Sequence, residues 1–149
     1  MKKISLSRLL LTIAIMLFSC TSYAAGNSSD ETIIKLKSFY DAYRTLIISM
    51  DSVDYTDRAY ALIQKNCTPE FAAAAILEMR EGAGFDFVTY DYVDTMIMPT
   101  LSISKVADHY EMNFDVNWPK ADGNREIKHI RLAIYLKDGL IDDVKGTLP

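Results

Sequence analysis

The sequence predicts an α+β fold: three N-terminal helices packed on a curved antiparallel sheet of about four strands. Three observations predict it. Between Ile33 and Met79, apolar residues recur three and four positions apart, the period of a helix. From Thr100 onward the period drops to two, the period of a half-buried strand. All the helical patterns precede all the strand patterns. Helices in series followed by strands in series argue for helices on one face of an antiparallel sheet. A sheet this long should curl around the longest helix.

The first helix is expected from about Glu31 to Met50. Ser28-x-x-Glu31 reads as a capping box at its start. Ile33, Leu36, Tyr40, Tyr43 and Ile47 form its apolar face, and Lys35, Lys37, Asp41 and Arg44 its wet side. Asp51 to Tyr55 is a polar break. A shorter second helix begins at Asp57-Arg58, carries Ala59, Tyr60, Leu62 and Ile63, and stops near Asn66. Thr68-Pro69-Glu70 then starts a third: Thr68 caps, Pro69 suits the first turn, and Glu70 complements the helix dipole. Its alanines, Ala72 to Ala75, allow a neighbour to approach closely, and Gly82 and Gly84 end it.

Phe85 to Pro99 mixes aromatic and acidic residues, and is expected to be a long connection with a helical turn around Asp91 to Met96. Leu101 and Ile103 open the first strand. Tyr110, Met112, Phe114, Val116 and Trp118 alternate with polar residues in the second. Asp122-Gly123 marks a turn. Ile130, Leu132, Ile134 and Leu136 form the next apolar row, and Asp138-Gly139 is a tight hairpin signal before a last strand over Leu140 to Lys145.

The chain has 149 residues, half of them apolar, with formal charge −4. That length fits one domain. Lys2, Lys3 and Arg8 precede the apolar run Leu9 to Phe18, which is too short to span a bilayer and suits a secretory h-region. Ser22-Tyr23-Ala24 offers a cleavage site before Ala25. Leu17-Phe18-Ser19-Cys20 resembles a bacterial lipobox, which makes Cys20 a lipidation candidate. Both routes place the mature domain outside the cytoplasm, in the periplasm or as an outer-membrane lipoprotein. Loss of the first 25 residues leaves 13 basic against 20 acidic residues. So acidic a chain lacks the positive footprint that nucleic-acid backbones require. Cys67 then has no intrachain partner and reads as a small buried hydrophobe.

These features together resemble one family. Tyr40-x-x-Tyr43 lies on a long first helix. A short second helix and a Thr68-Pro69-started third follow. Then come the acidic and aromatic connection, the turn Lys137-Asp138-Gly139 and the last strand Leu140-Ile141-Asp142-Asp143-Val144. The chain from Glu31 to Gly146 resembles the nuclear transport factor 2-like, or cystatin-like, superfamily. Within it, the chain looks like the small secreted or lipoprotein domains of unknown function from Gram-negative bacteria. The resemblance implies a cone with a pocket between the long helix and the curled sheet. Ketosteroid isomerases and limonene-epoxide hydrolases share that fold, but one fold hosts many functions.

Isomerase-type chemistry needs a carboxylate base and an oxyanion stabiliser in an apolar pocket. Tyr40, Tyr43, Asp91 and Asp94 are the residues of the right type. The tyrosines read first as core aromatics with a hydroxyl at the rim, and the aspartates as turn or cap residues, so none is assigned a catalytic role. His109 and His129 fall on the polar parity of their strands. A metal site with Glu111 is weighed against solvent exposure, and exposure is expected. Tyr90, Tyr92, Met96, Met98 and Trp118 line a ligand mouth or pack in the core. G-x-S-x-G, H-E-x-x-H and a phosphate-binding Gly loop are absent. No cofactor or metal set is readable.

The expectation is therefore an exported binding domain rather than an enzyme. Its binding surface is expected at the open end of the cone, near Tyr40, Tyr43, Asp91, Tyr92 and Trp118. The partner is a protein or a small apolar ligand. One alternative is a pocket isomerase or hydrolase with Asp91 or Asp94 as base. Another is an acidic inhibitor or immunity-type protein, suggested by the charge. A homodimer through Arg131, Ala133 and Tyr135 on the outer sheet face is a further expectation.

Overall fold

The computed structural model describes residues 30–49, 54–81, 86, 88–90 and 92–146. The N-terminal run expected to direct export, the lipidation candidate Cys20, the expected Ser28 cap and Asp91 lie outside the described residues. Helix α1 covers 30–48, α2 covers Tyr55–Asn66 and α3 covers Pro69–Glu81. Strands β1 (Met96–Val106), β2 (His109–Pro119), β3 (Arg125–Lys137) and β4 (Leu140–Gly146) follow. They form one antiparallel sheet in the order β1-β2-β3-β4. The chain is thus α+β, with three helices leading into a four-stranded open sheet. Among the described residues, no helix is long and apolar enough to cross a membrane.

Local chemistry explains the boundaries. Cys67 N donates to the Ile63 carbonyl and closes α2. The Thr68 hydroxyl then accepts from Phe71 N, and its carbonyl accepts from Ala72 N, so Thr68 caps α3 as its spacing predicts. Ala72 and Ala75 are the buried pair of α3, and Ala73 and Ala74 face outward. The β3–β4 hairpin has Asp138 at φ +53 and Gly139 at φ +79, the left-handed pair that a two-residue turn requires. At the β2–β3 turn, Asn124 N donates to Asp122 Oδ1 at 3.0 Å, and Gly123 sits at φ +82.

The first strand begins earlier than its period suggests. Met96 already pairs with Val116, and Ile97 with Asp115; the register then shifts before resuming at Ser102 and Asn113. The irregular stretch contains Pro99, which cannot donate to a ladder and breaks the alternation in the sequence. Thr100 Oγ1 replaces a ladder acceptor by taking a hydrogen bond from Asp115 N at 2.8 Å. A second shift lies between Tyr135 and Leu136. Such irregularities bend strands and increase twist.

One core joins all seven elements. Leu36, Phe39, Tyr40, Tyr43 and Ile47 of α1 share it with Met112, Phe114 and Val116 of β2, and Leu132 and Ile134 of β3. Ile63 of α2, Ala72 of α3, Met96 of β1 and Ile141 of β4 complete it. The alternation in β2 is therefore a burial alternation. At one sheet edge, Thr68 N donates to the Ile141 carbonyl at 2.8 Å, and Cys67 bridges to Ile141. The α2–α3 junction thereby covers the β4 edge. The opposite edge is β1.

Candidate functional site

Two separate polar sites emerge, one buried and one open. The buried one begins at α1. Helical spacing places Tyr40 and Tyr43 on its inward face, 0% and 1% exposed. Phe39 packs between them, edge-on to Tyr40 at 5.1 Å and stacked on Tyr43 at 6.0 Å. The Tyr43 hydroxyl donates to Asp86 Oδ1 at 2.9 Å. Val88 N donates to the same oxygen at 2.9 Å, and the Thr89 hydroxyl donates to Oδ2. Asp86 thus caps the turn over 88–90 while joining it to α1.

Burial raises the Asp86 carboxyl above its ordinary range, against the pull of these donors. Burial also pushes the Tyr43 phenol far up, reinforced by the charge and hydrogen bond of Asp86. Tyr40 is raised by burial and then by Cys67 and Asp86 nearby. The Tyr40 hydroxyl is buried with no hydrogen-bond partner among the described residues. Cys67 is buried and unpaired, its thiol pushed up to about 12 by burial. A thiol so far from ionisation is a poor nucleophile.

The open site is a groove of about 330 Å³ at the head of β1. It is lined by Arg44 from the last turns of α1, by Asp94 to Pro99, and by Asn117 and Arg125. A chain of backbone bonds builds its wall. Tyr92 N donates to the Thr89 carbonyl, Thr95 N and Met96 N donate to the Tyr92 carbonyl, and Asn117 N donates to the Thr95 carbonyl at 3.0 Å. Arg44 Nε is buried without a hydrogen-bond partner among the described residues. Among the described residues, neither Arg44 nor Arg125 enters an ion pair with a carboxylate, whereas Lys120 and Lys128 both hold Glu126 at 3.1 Å. Tyr92 and Trp118 meet edge-on at 5.8 Å, and Lys128 Nζ lies 5.1 Å above the Trp118 ring.

The sequence-nominated residues therefore part company. Tyr40 and Tyr43, expected near the open end, are core side chains and line no part of the groove. Their helical face is the one α1 must bury. Tyr92 and Trp118 do pair, half-buried, and their neighbours Asp94, Thr95 and Asn117 form the groove wall. Asp94 is exposed within it. The helical turn expected around Asp91 to Met96 is present over the described residues 92–96, where Met96 N donates to the Tyr92 carbonyl at 2.9 Å, and it leads directly into β1. His109 and His129 do not face each other: His129 pairs with Asp115 at 2.9 Å, and His109 lies against Tyr135. Among the described residues, no group of three or more His, Cys, Asp or Glu is placed to hold a metal.

Asp86, Arg44 and Arg125 were not nominated. Asp86 and Thr89 carry the Asp-x-x-Thr spacing of a local cap, a signal that was present. Arg44 falls at a wet position of the α1 pattern, and nothing in its spacing reveals the groove.

No protein-family model matches the chain, and no curated protein matches it. Solved structures share its fold. A protein of unknown function from Bacteroides thetaiotaomicron superposes with a TM-score of 0.62 at 22% identity, over 86% of this chain and 98% of that one. A β-sheet protein designed de novo superposes with a TM-score of 0.50 at 12% identity, over 79% of this chain and 88% of that one. At such identities the likeness concerns architecture alone.

Proposed function

We propose that this chain is an exported or lipid-anchored binding domain of the nuclear transport factor 2-like type, and that its groove at the head of β1 takes a small amphipathic ligand. The observation that carries this reading is the separation of the two polar sites. The hydrogen-bonded pair Tyr43–Asp86 has the residue types of an acid–base site, yet it lines no part of the groove. Its carboxylate is occupied by Tyr43, Val88 and Thr89. A general base must be within reach of a substrate proton. The groove offers recognition groups instead: two guanidiniums, an amide, a hydroxyl and the apolar wall Ile97, Met98 and Pro99. Its volume is at the lower end of ligand sites, about 300–1,000 Å³. The basic n-region and short apolar run at the N-terminus support export.

The enzyme alternative retains one specific support, the raised Asp86 carboxyl beside a tyrosine hydroxyl. An NMR titration separates the two. Hexanoate, hexanamide and hexylammonium share one apolar tail and differ in head group. At least one is expected to shift the amides of Thr95, Ile97 and Asn117. Shifts confined to Val88 and Thr89, with the groove silent, would instead favour the enzyme reading.

A further inference from the structure

The groove is charged in a way its protein is not. The chain is acidic overall, yet the groove lining holds Arg44 and Arg125 against the single carboxylate Asp94. Several cations on or beside the same sheet are matched: Lys120 and Lys128 with Glu126, Lys145 with Asp143, and Arg131 with Glu111. Arg44 stands apart because one of its donors is buried and unmet. Arg44 and Arg125 both line the groove, and among the described residues neither enters an ion pair with a carboxylate, so the positive charge of the lining is left to an acceptor supplied from outside. A guanidinium is planar and weakly hydrated, and it suits a carboxylate better than a neutral head group. Beside it, Ile97, Met98 and Pro99 form an apolar wall.

We infer that the groove ligand is a carboxylate-bearing amphiphile, its carboxylate held by Arg44 and Arg125 and its apolar body laid against Ile97, Met98 and Pro99. This rests on the reading of the groove as a binding site and narrows it to one ligand class. Asp94 opposes the ligand charge and sets a ceiling on affinity.

The test compares each carboxylate with its own amide by NMR titration of the purified protein. Hexanoate against hexanamide represents an acyl source, and N-acetylleucine against N-acetylleucinamide represents a peptide C-terminus. Each carboxylate is expected to bind about fivefold tighter than its amide, as a charge-assisted bond in a partly open groove allows. The preference should shrink as salt rises. Preference in only one pair identifies the source and supports the class. Arg125 is exposed, so Arg125→Gln should leave the fold intact and weaken the carboxylate severalfold. Asp94→Asn should tighten it. Equal affinity of carboxylate and amide, or weaker binding by Asp94→Asn, overturns the inference while leaving a binding groove in place. If none of the four compounds shifts a groove amide but hexylammonium does, the inference falls and the groove stands; if hexylammonium is silent too, the reading of the groove goes with it.

Discussion

The Tyr43 hydroxyl donates to the Asp86 carboxylate at 2.9 Å, across a separation of 43 residues. That bond ties α1 to the turn over 88–90, from which backbone hydrogen bonds continue through Tyr92 and Thr95 to Asn117. The buried pair thus anchors the wall of the groove without entering it.

Two neighbouring tyrosines should respond oppositely to loss of their hydroxyls. Tyr43→Phe strips a donor from a buried carboxylate and is expected to cost about 1–2 kcal/mol. Tyr40→Phe removes a buried hydroxyl that has no partner, and is expected to leave stability unchanged or raise it by up to about 1 kcal/mol. Urea midpoints at constant m-value measure both. Equal losses from the two would contradict the hydrogen-bond assignment.

Asp86 gives stability an unusual pH dependence. Burial raises its folded-state carboxyl above the unfolded value, so the folded state favours the proton. The resulting stabilisation is complete below the ordinary aspartate range and is lost as pH climbs through the raised folded value. Asp108, Asp122 and Glu126 are shifted the other way by hydrogen bonds and lose their contribution as pH falls. They are common to wild type and Asp86→Asn, and cancel in the difference. The urea midpoint of wild type minus that of Asp86→Asn should therefore be larger at pH 3.5 than at pH 7, to take two convenient settings on the order of the carboxylate range and above it. A difference that grows with pH would mean that the donors outweigh burial.

Gly146 is required by a close approach. A Cβ there would lie 2.9 Å from Tyr90 Cε1, and Tyr90 itself sits at φ +56. Gly146→Ala should cost about 1–3 kcal/mol through overpacking. Combined with Tyr90→Ala, the added loss should be clearly smaller than in the wild-type background. Additive losses would place the strain elsewhere.

The β1–β2 turn holds Ala107 at φ +47, a left-handed conformation that disfavours a side chain. Ala107 is exposed. Ala107→Gly should raise stability by about 0.5–1 kcal/mol, the relieved strain exceeding the added unfolded-state entropy. A lower melting temperature for this variant would refute that balance.

The sequence by itself determined every element whose signal is local. Periods of 3.6 and 2.0 show in which faces of α1 and β2 are buried. Thr68-Pro69 and Asp138-Gly139 punctuate the chain through caps and left-handed turns that need no distant contact. It also determined the acidity of the chain and the export-like N-terminus. Tertiary structure alone decided where β1 begins, because Met96 and Ile97 earn their strand by pairing with β2 across a register shift that hides their alternation. It decided that Asp86 is the neighbour of Tyr40 and Tyr43, and that their hydroxyls lie away from any open end. The groove is of the same kind: Arg44, Thr95, Asn117 and Arg125 come from four separate stretches of chain, and no periodicity relates them. Local patterns report which side of an element faces inward; only packing brings the sides of different elements together.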